Sequence, residues 1–302
     1  HNGTSLLHIT KDKLLQIILY NINTIIVPSN HVNFNSIYDY LKKNTNKKIK
    51  FIYEFRGLWF LTEHAKREYE NKKNLKFNYF ILNEIRKERN AINKADSLIF
   101  INKSIRNYLL NDLNFYEINT KPFILLYNSC QITNGNNTRL HTASVQITDL
   151  NHIKKKKRKI YTIGYFGSIS FYEGIENLIY VCNYINKKKS HSIKLILCGK
   201  NNTNLDFKKY NFIEYLQFIP YDKYILKLQE IDILCIPRLN FKVCEIVPAL
   251  KPLACMYYKI PILISDFLCY REMSRDGFYY VKPGFIHSLK EKIDELMKIN
   301  DH

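Results

Sequence analysis

Along this chain, short β-branched apolar runs alternate with stretches in which apolar residues return at helical spacing. That alternation predicts a parallel α/β architecture. Residues 24–27 read as a strand, followed by a helix near 35–43 and a strand at 50–55. A long polar helical region covers 60–94. After it come a strand at 98–101, a short helix at 104–111 and a strand at 123–127. The pattern restarts with a strand at 159–166. Ile175, Leu178, Ile179, Cys182 and Ile185 then recur on one helical face. A buried-type strand at 193–198, a helix at 221–229 and a strand at 231–236 stopped by Pro237 follow. A helix at 249–258, a strand at 260–265 and a last helix at 288–298 complete the reading. The expected fold class is α/β: two Rossmann-like lobes facing a cleft, with ligands at the carboxyl ends of the strands.

Residues 131–159 interrupt the rhythm. They are polar, hold NGNNT and end in the basic run KKKKR at 154–158. The predicted division is a first lobe at 1–135, a basic polar linker at 136–158 and a second lobe at 159–302. No apolar run approaches the ~20 residues of a membrane span, and nothing resembles a signal peptide; the apolar stretch 14–20 is far too short.

Composition adds three points. The formal net charge of +19 favours an anionic partner: nucleic acid, an acidic membrane face or phosphorylated substrates. Lys, Asn, Ile and Tyr are all abundant, as AT-rich coding would produce, and the basic run reads equally as a solvated linker. The seven cysteines, at 130, 182, 198, 235, 244, 255 and 269, form no Cys-x-x-Cys. They read as reduced core thiols in a cytoplasmic protein, not a disulfide frame or zinc site. Four Asn-x-Ser/Thr triplets, at Asn2, Asn102, Asn136 and Asn201, are expected by chance in so Asn-rich a chain.

Two stretches carry candidate chemistry. IGYFGSISFYEGI at 163–175 is an apolar strand running into a glycine turn that opens a helix. Such a turn lets backbone N–H groups approach an anion and aims a positive helix end at it. RLNFKVCEIVPALKPL at 238–253 is a basic, Pro-punctuated loop leading into another helix. Arg238, Lys242 and Lys251 are its cations; a guanidinium offers a fork of donors to phosphate, an ammonium a point charge. Lys242 reads more simply as a solvated loop charge.

Together these stretches resemble the nucleotide-sugar lobe of family 4 glycosyltransferases, of GT-B fold. GYFGSISFYEGIENLI is similar to that family's first glycine turn, in the variant where Tyr-Glu-Gly precedes the helix. LILCGKN resembles the strand ending in Val-Gly-x-Gly, with Asn201 at the last glycine. FIPYDKYILKLQEIDILCIPR is similar to the segment of Pro, short helix, acidic strand and Pro. EIVPALKPLACM at 245–256 resembles Glu-Val-x-Pro-Leu-Lys-Pro-Leu-Glu-Ala-Met of one subgroup, with Ile246 and Ala249 at its first Glu and first Pro. YEFRGLW at 53–59 is similar to the same subgroup's Tyr-Glu-x-Arg-Gly-Leu-Trp, and LYNSCQI at 126–132 to the strand end before the crossover. The six occur in family order across 24–282. The resemblance also implies that the family's first strand–turn–helix and its crossover helix fall outside this chain.

What the resemblance implies is retaining transfer of a sugar from a nucleotide-diphosphate sugar to a surface polysaccharide or lipid-linked glycan, by front-face attack, with no metal and no cofactor. It places Gly167, Ser168, Gly174, Gly199, Lys200, Arg238, Leu253 and Ala254 on the donor side and Arg56, Lys251 and Glu245 in catalysis. Glu54 and Trp59 fall on the acceptor side. Ser168 and Glu173 stand where many members carry Arg and Lys, so the diphosphate must meet other cations. Ala254 stands where a ribose-binding Glu is expected. The residues also permit plainer readings. Glu245 reads as a surface carboxylate, Glu54 as a partner fixing Arg56, and Trp59 as a core cap, the placement expected for it. A binding-only remnant, an epimerase of the same fold and a nucleic-acid-binding module are the rival functions; the last has charge but no recognised motif. Peripheral contact with the anionic inner face of the plasma membrane is a further expectation.

Overall fold

The computed structural model describes residues 22–28, 31–70, 75–134, 137–142, 160–188 and 192–300. The basic run at 154–158 and the apolar stretch at 14–20 lie outside them. The chain divides into two units, residues 1–127 and 128–302.

In the first unit, β1 (Thr24–Pro28), β2 (Lys50–Phe55), β3 (Ser97–Phe100) and β4 (Phe123–Leu125) form a parallel sheet in the order β1-β2-β3-β4. Helix α1 (His31–Asn44) links the first two strands. The predicted helical region at 60–94 is two helices, α2 (Trp59–Tyr69) and α3 (Leu75–Lys94), followed after β3 by α4 (Lys103–Asn111). The core is aromatic: Phe34, Phe51, Tyr53, Phe55 and Phe100 are all buried, and Phe55 stacks on Phe100 at 4.8 Å between ring centroids. Asn102, one of the four triplets, is buried as the N-cap of α4. Its side chain accepts from the Ile105 N–H at 2.9 Å, satisfying one of the donors that a helix start leaves open.

The second unit opens with an antiparallel hairpin, β5 (Ser129–Asn134) with β6 (Asn137–Thr142), straddling the predicted end of the first lobe and start of the linker, where the sequence polarity predicts no strand pair. Ladder bonds between local strands do not require an apolar pattern, so composition does not reveal them. Six parallel strands follow: β7 (Ile160–Phe166), β8 (Ser192–Cys198), β9 (Ile213–Leu216), β10 (Ile233–Ile236), β11 (Ile262–Ser265) and β12 (Tyr279–Val281). Their helices are α5 (Ile175–Lys187), α6 (Tyr221–Glu230), α7 (Lys242–Ile246), α8 (Lys251–Tyr257), α9 (Leu268–Met273) and α10 (Ile286–Asn300). Strands β10 and β11 are buried throughout, as inner strands covered on both faces must be. The edge strands β9 and β12 and the short helices α7 and α9 have no counterpart in the sequence reading. They are too short to show a period.

The strand order is β12-β11-β10-β7-β8-β9. Winding runs outward from β7 one way, then returns to start again beside it at β10. The carboxyl ends of β7 and β10 therefore flank the switch point, the place where open α/β sheets bind ligands. Among the described residues, no helix is long and apolar enough to cross a membrane.

Candidate functional site

Everything at the switch point depends on close backbone packing. Gly167 follows β7 directly, at φ 141°, and its N–H donates to the Cys198 carbonyl at 2.7 Å. Two residues on, Ile169 donates to the Lys200 carbonyl and accepts from the Asn202 N–H, so the loops after β7 and β8 run paired. Gly199 sits at φ 133°, and a Cβ there would land on the Gly167 carbonyl. The loop after β7 then makes a 3-10 turn at Phe171–Glu173 and reaches Gly174, at φ 71°, which begins α5. A Cβ on Gly174 would overlap the Pro237 carbonyl of the loop after β10. Three loops are thereby stacked at van der Waals distance, and the glycines permit it.

The same loops carry a charge cluster. Glu173 is buried and takes a two-point contact from Arg238: Nη2 donates to Oε1 at 2.9 Å and Nε to Oε2 at 3.2 Å. Lys251, the first residue of α8, brings Nζ to 2.9 Å from the same Oε2. Its ammonium also donates to the Tyr165 hydroxyl at 2.7 Å, and that hydroxyl donates onward to the Ser168 carbonyl at 2.8 Å. The third nitrogen of Arg238, Nη1, donates to the Val247 carbonyl at 2.9 Å. Tyr270, buried on α9, accepts from the Ala249 N–H at 3.1 Å and so pins the approach to α8. The Lys251 side chain passes directly over Gly167; its Nζ lies 3.3 Å from where a Gly167 Cβ would sit.

The electrostatics follow from this packing. Burial pushes the Glu173 carboxyl up, but Arg238 and Lys251 outweigh it and hold the group down at about 2. Burial pulls the Lys251 ammonium below the ordinary lysine value; Glu173 opposes that fall and Arg238 adds to it. Burial beside Glu173 raises the Tyr165 phenol well above its usual value, so it remains a neutral hydroxyl. With Lys251 protonated, one carboxylate and two cations leave the cluster with one positive charge.

The structure brings Gly167, Gly174, Gly199, Arg238 and Lys251 together at the switch point. Ser168 and Lys200 are exposed on the paired loops. Leu253 is buried on α8, and Ala254, half-buried, follows it. The stretch after Arg238 is less of a loop than its composition predicts: it contains α7, on which Lys242 and Glu245 form an exposed ion pair at 2.8 Å. In the first unit, Glu54 is buried at the end of β2 and holds Arg56 Nε at 3.0 Å. Trp59 is not the core cap expected of it. It is 50% exposed at the start of α2 and meets Phe80 edge-on at 5.7 Å, because Phe60, Leu61 and Ala65 form the buried face of that helix. The sequence by itself does not mark Tyr165, Glu173 and Tyr270 as site residues. The available signal was an acidic residue in a turn that otherwise carries a cation. Among the described residues, no group of His, Cys, Asp and Glu is arranged to hold a metal. The six cysteines with described side chains are buried free thiols.

A model of the family described as "Glycosyl transferases group 1" matches residues 147–302, just over half of the chain. No curated protein sequence matches. Among solved structures, the chain is similar to a glycosyltransferase from Rickettsia africae, with 13% identity and a TM-score of 0.60 over 99% of this chain and 73% of that one. The Anabaena protein HepE in complex with UDP is similar at 12% identity and TM-score 0.61, over 95% and 72%. The lipopolysaccharide outer core galactosyltransferase WaaB follows at 12% and 0.57, over 96% and 70%. At these identities the likeness establishes the fold: two Rossmann-like lobes of GT-B type.

Proposed function

The chain belongs to the group 1 glycosyl transferases, and from that premise we propose that it is a family 4 enzyme of retaining mechanism. In this reading it moves a sugar from a nucleotide-diphosphate sugar to a surface polysaccharide or lipid-linked glycan. The observation that supports this reading best is the placement of Lys251 over Gly167 at the switch point. The β7 turn carries no cation at Ser168 or Glu173, and α8 supplies one across the sheet. The leaving diphosphate would lie over Gly167 and Gly199, toward the first turn of α5 and the ammonium of Lys251. Fixed dipoles and cations of this kind stabilise charge that develops on a leaving group. Arg238, with its nitrogens engaged inside the protein, would act through Glu173. On the first lobe, Arg56, held by Glu54, is proposed to orient the acceptor, and Trp59 offers an exposed ring for a sugar to stack on. Work at the inner face of the plasma membrane fits the acceptors named.

Two substitutions test the donor site with opposite signs. Lys251→Ala is expected to weaken nucleotide-diphosphate binding by ~1.5–3 kcal/mol, the loss of a charged hydrogen bond. Ala254→Glu is expected to strengthen it, by returning a carboxylate to the ribose hydroxyls. Isothermal titration with UDP and GDP measures both. Unchanged affinity in both variants would leave a protein that has kept the fold without the donor site.

A further inference from the structure

We propose that Glu173 is a positioning residue for the donor site: its carboxylate holds Lys251 over Gly167 and keeps that side chain an ammonium beside Arg238. The inference rests on the nucleotide-diphosphate reading for its consequence but not for its geometry.

Both carboxylate oxygens of Glu173 are occupied. Oε1 accepts from Arg238, and Oε2 accepts from both Arg238 and Lys251. One buried carboxylate therefore spans two cations that arrive from different elements, the loop after β10 and the start of α8. The groups that act on Lys251 come from several elements: Tyr165 of β7, Glu173 of the 3-10 turn, Arg238 after β10 and Cys244 of α7. Tyr172 of the same turn and Tyr270 of α9 act on Arg238 and Glu173 behind it. Glu173 is the single carboxylate in that set. The Tyr165 hydroxyl spends its proton on the Ser168 carbonyl, so it meets Lys251 as an acceptor and cannot supply charge.

Removing the negative charge would leave an ammonium and a guanidinium side by side away from water. Arginine does not release its proton under ordinary conditions, whereas a buried lysine does so readily. Lys251 would become a neutral amine and lose its attraction for phosphate. In the folded protein its two named partners, Glu173 and Tyr165, use two of the three N–H groups of the ammonium. The third is the one this arrangement can present to a ligand oxygen. The turn that lacks a cation at Glu173 thus contributes by charging the cation that α8 brings to it.

The test has a ligand-free part and a ligand part. In protein labelled with 13C at lysine Cε, with Lys251→Arg to assign the signal, the Lys251 resonance is followed against pH. In Glu173→Gln it is expected to titrate at least one pH unit lower than in the parent protein. UDP affinity in Glu173→Gln is then expected to fall about ten-fold more between pH 7 and pH 9 than in the parent, in step with the loss of the proton. The double variant Glu173→Gln, Lys251→Arg should lose that pH dependence, because arginine stays charged. If Glu173→Gln does not fold, Glu173→Asp, which draws the carboxylate back by one methylene, is expected to show the same direction of shift in the Lys251 signal. An unchanged Lys251 titration in the folded variant overturns the proposal. A shifted titration in a protein that binds neither UDP nor GDP keeps the role of Glu173 and rejects the donor-site reading instead.

Discussion

Gly174 answers to two constraints at once, and they are separable by experiment. Its φ of 71° lies where residues with a Cβ are strained, and its neighbour across the loop stack is the carbonyl of Pro237. Alanine at this position meets both the backbone cost, of order 1–3 kcal/mol, and a clash with backbone that cannot swing aside. Gly174→Ala is therefore expected to lower the urea midpoint of the protein by more than Gly284→Ala does. Gly284 shares a positive φ of 74°, but the nearest atom to its missing Cβ is 4.0 Å away. An equal loss in the two variants would mean that the contact with Pro237 contributes nothing. The same separation of causes applies at Ala254. The resemblance locates the position, and only the neighbouring fold determines whether a carboxylate there finds a ribose.

At the scale of elements, α1 and α3 are joined by a buried histidine. His31 opens α1, with Nδ1 at 2.8 Å from Glu88 and Nε2 at 3.0 Å from Glu84. The two carboxylates stand four residues apart on one face of α3, and Tyr53 of β2 donates to Glu88 at 2.7 Å. Burial alone would lower the His31 pKa, but Glu88 and then Glu84 outweigh it and the value is raised. The folded protein therefore holds a proton that the unfolded chain releases near pH 6.5. Stability from His31 and its two carboxylates is fully present below that pH and is lost as pH rises through the higher folded value. Urea unfolding followed from pH 6 to pH 9 is expected to show a decline that His31→Gln lacks. Parallel declines in the two proteins would assign the effect to other groups. None of this is legible in the sequence, where His31 carries no motif and Glu84 and Glu88 look like ordinary charges on a polar helix.

At the scale of the whole molecule, charge and topology carry different information. A net charge of +19 describes partners and not fold. If the acceptor resides at an anionic membrane face, each Lys or Arg near that surface contributes ~1 kcal/mol of attraction. Sedimentation with liposomes is expected to show binding to vesicles containing phosphatidylserine and little to phosphatidylcholine alone, with the difference removed by salt. Equal partitioning at low salt would reject membrane docking. Topology bears on the site instead. The order β12-β11-β10-β7-β8-β9 places β7 and β10 side by side although some seventy residues separate them in the chain: Ile163 pairs with Ile233 and Gly164 with Leu234.

The sequence alone determined the type of most elements, because a period of 2 or 3.6 is a local property that each segment carries with it. The strands at 50–55 and 160–166 and the helix at 175–187 were legible for that reason, as were the glycines that punctuate their ends. It could not show the division of the 60–94 region into two helices, the edge strands β9 and β12, or the exposure of Trp59. Those depend on what each segment packs against. Tertiary structure alone decided the charge cluster. Glu173 meets Arg238 from 65 residues away, and Lys251 meets Tyr165 from 86. Whether such residues touch depends on the winding order of the sheet, and whether their charges are paired or solvated depends on burial. Neither property is written in the local spacing of residues along a chain.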